Sequence, residues 1–207
     1  MTFFTFLDYS AVLVFALTGS LVASRAQLDI VGFFFFACLT AVGGGTLRDL
    51  LLDRHPVFWV ENPAYLGVAC AAALLVFLTA HLFESRYKLL LWLDAFALAF
   101  AVAAGSGIAH SLGHSAPIVV VMGVVTGCMG GLMRDVVSNE VPLVLVKGEL
   151  YVTCTFAGSV ATVVASELDL PSTQVALACA AVTFILRAGS LALGWQLPVY
   201  KSRPPKV

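Results

Sequence analysis

The chain has 207 residues, of which 60% are hydrophobic and only 11% charged, with a formal net charge of −1 and a mean hydropathy of +0.99. Soluble domains carry about 25% charged residues, so this composition excludes an ordinary water-soluble enzyme and indicates an integral membrane protein. The near-zero net charge supplies no electrostatic footprint for nucleic acid.

A helix needs about 20 mostly apolar residues to cross the hydrocarbon core. The segments that qualify are 7–24, 30–52, 64–83, 89–110, 116–138, 149–166 and 173–195, which predicts an all-α fold of seven transmembrane helices. The start, Met1-Thr2-Phe3-Phe4, has neither a basic leader nor a small-residue cleavage site after the first apolar run, so residues 7–24 read as a retained span. Short polar breaks separate most spans: Arg25-Ala26-Gln27-Leu28-Asp29, Glu84-Ser85-Arg86-Tyr87-Lys88 and Glu167-Leu168-Asp169-Leu170-Pro171-Ser172. The longer connections 53–63 and 139–148 contain proline and read as re-entrant or interfacial. No long polar segment is available for an appended catalytic domain, and no Ser–His or His-Glu-x-x-His arrangement is present, so the chain is not expected to be an enzyme. Cys38, Cys70, Cys128, Cys154 and Cys179 lie singly in apolar runs and read as small buried hydrophobes, without metal or disulfide spacing.

Seven spans place the termini on opposite sides, and basic residues orient them. The side of the C-terminus collects Arg25, Arg86, Lys88, Arg134, Lys147, Lys201, Arg203 and Lys206, whereas the other side has Arg48 and Arg54. With Arg187 set aside inside the last span, this predicts an external N-terminus, a cytoplasmic C-terminus and a tail, 196–207, that acts as a topological anchor.

The pattern Gly44-Gly45-Thr46-Leu47-Arg48-Asp49 returns 86 positions later as Gly130-Gly131-Leu132-Met133-Arg134-Asp135. The same offset matches Leu7-Asp8 to Leu93-Asp94, Gly19-Ser20 to Gly105-Ser106, Thr40 to Thr126, Pro56 to Pro142 and Tyr65 to Tyr151. Shared Asp, Arg, Pro and Gly at one offset indicate duplication. The expected organisation is a first three-helix repeat over 1–88, a second over 89–172, and a seventh helix over 173–195. An odd number of spans per repeat, with no linking helix, makes the second copy inverted relative to the first. Inverted repeats of this kind build transporters with sites near the midplane.

Gly43-Gly44-Gly45 in span two, and Gly127 with Gly130-Gly131 in span five, weaken their helices and permit kinks or close backbone approach. Carbonyls of an opened helix, with hydroxyls from Thr18, Ser20, Thr40, Ser106 and Thr126, suit a hard cation; helix–helix packing through small residues is the alternative. Arg48 and Asp49 are successive, so their side chains diverge by about 100° and look elsewhere for partners. Asp8 and Arg48 share one side of the membrane, and Asp94 and Arg134 the other, which predicts two ion pairs, one towards each mouth. The alternative is snorkelling to headgroups. Asp135, like Asp49, adjoins its arginine. Pro56, Pro142, Tyr65 and Tyr151 read as loop punctuation and interfacial anchors, and Asp53, Glu61, Glu140 and Glu149 as solvated loop charges. Arg187 either reaches headgroups or pairs within the bundle. Gly44→Leu with Gly130→Leu is expected to abolish transport while sparing assembly.

These residues together, Ala41-Val42-Gly43-Gly44-Gly45-Thr46-Leu47-Arg48-Asp49 and Gly127-Cys128-Met129-Gly130-Gly131-Leu132-Met133-Arg134-Asp135, resemble the trimeric intracellular cation channels in their short prokaryotic form. The resemblance covers essentially the whole chain. It implies a homotrimer in a prokaryotic inner membrane, with lipid around it and an hourglass pore in each protomer between kinked spans two and five. It implies passage of potassium and, less selectively, sodium, with no other cofactor. It also implies that Gly43, Gly44, Gly45, Gly130 and Gly131 shape the pore while Arg48, Asp49, Arg134 and Asp135 line or brace it. Animal members carry a Lys-Glu-Val element after the second kink; Val137-Ser138-Asn139-Glu140-Val141 has no lysine, so dependence on voltage and lipid linked to it is not carried over. Bacterial relatives also resemble glycine transporters, which leaves a carrier for glycine or another small amino acid as the alternative, and a non-conducting scaffold as a third reading.

Overall fold

A computed structural model describes residues 3–82 and 86–198, with only the backbone of Arg86; the expectations for Glu84, Ser85 and the basic tail from Lys201 lie outside the described residues. The described chain is helical: α1 (Phe3–Arg25), α2 (Ile30–Leu51), a single turn α3 (Phe58–Glu61), α4 (Ala64–Thr79), α5 (Arg86–Ser111), α6 (Ala116–Val137), α7 (Tyr151–Glu167) and α8 (Ser172–Leu193). Short 3-10 turns follow α4 at Ala80–Leu82 and precede α7 at Leu143–Leu145.

Local chemistry sets the ends. Asp29 caps α2 by accepting from the Gly32 amide at 2.9 Å, and Pro117 occupies the first turn of α6, where its missing N–H costs nothing. Helix exits use left-handed residues at Gln27 (φ 55°), Asp53 (52°), Gly113 (78°) and Asn139 (58°). Gln27 and Gly113 stand 86 residues apart, as do Asp53 and Asn139, so the turns recur at the offset of the motif.

Among the described residues, six helices are long and apolar enough to cross a membrane. The sixth expected span, α7, has 17 residues and falls short by length, although it packs in the same bundle against α5, α6 and α8. α1 begins at Phe3, four residues before the predicted span. The centre of the bundle is α1 against α5, with α2 and α4 beside α1, and α6, α7 and α8 around α5. α2 also packs directly on α6. Ala16, Ala23, Ala37, Ala69, Ala73 and Ala97 are fully buried, which lets these backbones approach closely, as helices in lipid require when no hydrophobic force drives them together.

Candidate functional site

Two charge clusters are built in the same way near the C-termini of α2 and α6. Arg48 is fully buried. Its Nη1 donates to Asp8 Oδ1 of α1 at 2.9 Å, and its Nε to Asp49 Oδ1 at 2.8 Å. Asp49 also accepts from Arg54 Nη1 at 2.8 Å and, through Oδ2, from the Phe58 amide at 2.9 Å, which ties α3 back onto α2. The guanidinium lies 5.4 Å from the centroid of the Phe58 ring.

In the second cluster Arg134, also fully buried, donates through Nη1 to Asp94 Oδ1 of α5 at 3.0 Å and through Nε to Asp135 Oδ1 at 2.7 Å. Asp135 Oδ2 accepts from the Leu143 amide at 3.0 Å. One bond has no counterpart: Arg134 Nη1 also donates to Thr18 Oγ1 of α1 at 3.0 Å, whereas the residue 86 positions after Thr18 is Ala104.

Both expected pairs, Asp8 with Arg48 and Asp94 with Arg134, are therefore present, and neither arginine snorkels. Arg48 finds its expected partner on another helix, but the expectation that it and the adjacent Asp49 would not satisfy each other well is corrected by their direct pairing, as it is for Arg134 with Asp135. The arginine fork has donors pointing in different directions. Nε, nearest the backbone, turns sideways to the next carboxylate while Nη1 reaches on to the facing helix. Charges buried inside a bundle of apolar helices are costly unless paired, and each arginine here has two carboxylates.

The two clusters flank the crossing of α2 and α6. α2 and α6 run without interruption as α-helix through their glycines. A Cβ on Gly44 would collide with the Thr126 carbonyl oxygen, and one on Gly130 with the Thr40 carbonyl oxygen. These two glycines set the distance between the helices. Gly43 faces Met133, Gly45 the Phe58 ring, Gly127 Val102, and Gly131 the Tyr151 hydroxyl. The cavity beside the crossing, bordered by Asp8, Phe15, Gly44, Phe58, Ala101 and Thr126, is about 10 Å³. That is room for about one water, so the crossing is closed.

The five expected ligand hydroxyls are buried, and each donates to its own helix: Thr18 to Phe15 O, Ser20 to Ala16 O, Thr40 to Phe36 O, Ser106 to Val102 O and Thr126 to Met122 O. Thr40 and Thr126 sit at the crossing; Ser106 lies away from it, against Thr162 at 2.8 Å. Tyr65 and Tyr151 are buried at 5% and 1% exposure and do not act as interfacial anchors. Tyr65 stacks on Tyr9 with centroids 4.0 Å apart, and Arg187 lies over the Tyr151 ring at 5.0 Å. Arg187 is fully buried and pairs with Glu149 at 2.6 Å, which resolves its two readings in favour of the bundle. Glu149 is thus not a free loop charge, and Glu140 pairs with Arg25 at 3.1 Å. Asp53 does remain at the surface, beside His55 at 3.2 Å.

Sequence reasoning missed Arg54 and Phe58 as partners of Asp49, and missed Glu149 for Arg187. The close spacing of Arg54 and Phe58 after Asp49 was the available signal; the 38 residues between Glu149 and Arg187 offered none. Arg54 is about a third exposed, and Asp49 keeps Arg48 and the Phe58 amide without it. Arg54→Gln is accordingly expected to cost less than about 1 kcal/mol, read as a small shift in the thermal unfolding midpoint in detergent.

Comparison with known proteins agrees with this architecture. The profile of a family described as glycine transporter matches twice, over residues 5–81 and 91–167. The UPF0126 membrane protein of Vibrio cholerae is 35% identical over 199 residues, covering 94% of this chain and 81% of its own. The UPF0126 inner membrane protein YadS of Escherichia coli strain K12 is 35% identical over 199 residues, covering 94% of both chains. Among solved structures, the TRIC trimeric intracellular cation channel orthologue from Rhodobacter sphaeroides superposes with a TM-score of 0.90 at 40% identity, over 94% of this chain and all of its own. A second TRIC cation channel gives a TM-score of 0.86 at 32% identity, over 98% of this chain and all of its own.

Proposed function

The chain belongs to the trimeric intracellular cation channel family in its prokaryotic form, a multi-pass membrane protein group, and from that premise we propose that it is a monovalent cation channel. The observation that carries this reading is the full-length likeness to the Rhodobacter sphaeroides channel orthologue. Potassium is the principal permeant ion and sodium the lesser one, with no other cofactor. The protein is a homotrimer in the inner membrane, surrounded by lipid, with its N-terminus outside and its C-terminus in the cytoplasm. α7 completes a set of seven spans. The halves 1–88 and 89–172 are inverted repeats about a pseudo-twofold axis in the membrane plane; the twofold match of the family profile at the 86-residue offset supports this.

Each protomer carries its own route between α2 and α6. Conduction requires these helices to part or bend at Gly43, Gly44, Gly45, Gly127, Gly130 and Gly131, since the cavity at their crossing is only about 10 Å³. Arg48 with Asp8 and Asp49, and Arg134 with Asp94 and Asp135, brace the two halves of that route. Their pairing sets two carboxylates against each arginine, which offsets the positive charge a permeating cation would meet.

The test is purified protein in a planar bilayer under a potassium chloride gradient. Unitary currents that reverse near the potassium potential are expected. Saturable glycine uptake into vesicles, without such currents, would replace this reading by a carrier, and neither activity would leave a scaffold.

A further inference from the structure

A second, roomier cavity lies away from the α2–α6 crossing. It holds about 470 Å³ between the N-termini of α1 and α8 and the C-termini of α5 and α7. Its polar lining is His110 and Ser111 of α5, Thr162 and Ser166 of α7, Asp169, and Ser172 of α8. Below it, buried polar side chains continue into the bundle. Thr162 Oγ1 lies 2.8 Å from Ser106 Oγ, which lies 3.7 Å from Cys179 Sγ, and Thr183 Oγ1 donates to the Cys179 carbonyl at 2.9 Å. Cys179, Thr183 and Arg187 follow at four-residue steps on one face of α8, so the column ends at the buried Arg187, paired with the partly exposed Glu149.

The α7 hydroxyls have no hydroxyl counterpart in the first half of the chain. Thr155, Ser159, Thr162 and Ser166 of α7 stand 86 positions after Ala69, Ala73, Val76 and Ala80, all of them buried. At these four positions the first half therefore packs into the core with apolar side chains. The hydroxyl protons are spent within the helices: Ser106 donates to Val102 O at 2.7 Å, Ser159 to Thr155 O at 2.8 Å, and Ser166 to Thr162 O at 2.7 Å. Thr162 Oγ1 is then left to donate to Ser106 Oγ, while Ser111 and Ser166, whose protons go to Ile108 O and Thr162 O, offer the cavity oxygen lone pairs beside the Asp169 carboxylate. Oxygen acceptors of this kind suit a hard cation, and polar side chains placed inside a membrane bundle mark solute pathways.

We infer that this cavity and the hydroxyl column beneath it form a hydrated binding site for a small monovalent cation, separate from the α2–α6 crossing. The site stands on the cavity and its oxygen ligands, and does not depend on where current flows.

Cys179 is a native reporter, since it and Cys154 are equally buried, Cys179 beside the column and Cys154 bonded to the Tyr151 carbonyl at 3.0 Å. In lipid nanodiscs, with both faces in water, methanethiosulfonate ethylammonium is expected to modify Cys179 at least about tenfold faster than Cys154, because thiol modification follows access to water. The anionic ethylsulfonate reagent is expected to be slower at Cys179, and potassium to protect it relative to a bulky organic cation. In a cysteine-free background, Thr162→Cys should react and Val76→Cys should not. Cys179 as inert as Cys154 overturns the site, and equal rates with the two reagents overturn its preference for a cation. Where the cysteine-free background fails to assemble, the comparison of Cys179 with Cys154 in the unaltered protein decides alone. Absence of bilayer currents would leave this result untouched, so the two readings fail separately.

Discussion

Arg134→Met is expected to destabilise the protein by about 3–5 kcal/mol, the cost of breaking a buried ion pair by removing one partner, and to do so more severely than Arg48→Met. Both arginines are fully buried and both neutralise two carboxylates. The difference lies in what each leaves behind. Without Arg48, Asp49 retains Arg54 and the Phe58 amide, and Asp8, whose side chain is 13% exposed, sits near water. Without Arg134, Asp135 retains the Leu143 amide, but Asp94, with no exposed surface, loses the ion pair that holds it. The link from α6 to Thr18 of α1 is lost at the same time. Arg134→Met combined with Asp94→Leu should recover much of the loss, because a buried pair replaced by apolar side chains of similar volume is often neutral. Thermal unfolding midpoints in detergent measure all three variants. Equal losses for Arg48→Met and Arg134→Met, or no recovery in the double variant, would defeat this account.

The positions of the charge pairs were legible in the sequence because two independent constraints agreed. The 86-residue offset linked Asp8 to Asp94 and Arg48 to Arg134, and counting spans placed each pair on one side of the membrane. Helix spans were legible from the lengths of apolar runs, including 149–166, where Tyr151–Glu167 is helical; its Thr153, Thr155, Ser159 and Thr162 dilute the apolar pattern, and at 17 residues it is short for a span. Contacts set by side-chain direction were not legible. Periodicity gives the angle between Cα positions, not the reach of a guanidinium fork, so Arg48 with Asp49 was missed. Tyr65 at the start of α4 reads as an interfacial anchor by position alone, and only the placement of Tyr9 and Phe58 against it shows why it is buried. The hydroxyls of α7 fall at the same offset as the motif, opposite alanine and valine, and a comparison of differences between the halves would have exposed them.

Gly44→Ala and Gly130→Ala are each expected to destabilise the protein and suppress transport, while Gly43→Ala leaves its stability unchanged, although Gly43 adjoins Gly44 in the same helix. In a helix interior, glycine to alanine is intrinsically favourable by about 0.5–1 kcal/mol, so any loss must come from what the new Cβ meets. At Gly43 it meets the Met133 sulfur, the end of a flexible side chain that can move aside. At Gly44 and Gly130 it meets backbone, the carbonyl oxygens of Thr126 and Thr40. Backbone carbonyls in a helix cannot move aside, so α2 and α6 must separate, and overpacking of this kind costs about 1–3 kcal/mol. Gly67→Ala is the reference, since a Cβ there meets nothing within 4 Å. The same geometry revises the expected outcome of Gly44→Leu with Gly130→Leu. A leucine at either position is driven into the facing backbone, so the pair should disrupt folding and assembly, not transport alone. Melting and size-exclusion profiles of the four alanine variants, followed by bilayer currents for those that assemble, measure the prediction. If Gly44→Ala and Gly43→Ala behaved alike, the close approach of α2 and α6 would not be what these glycines provide.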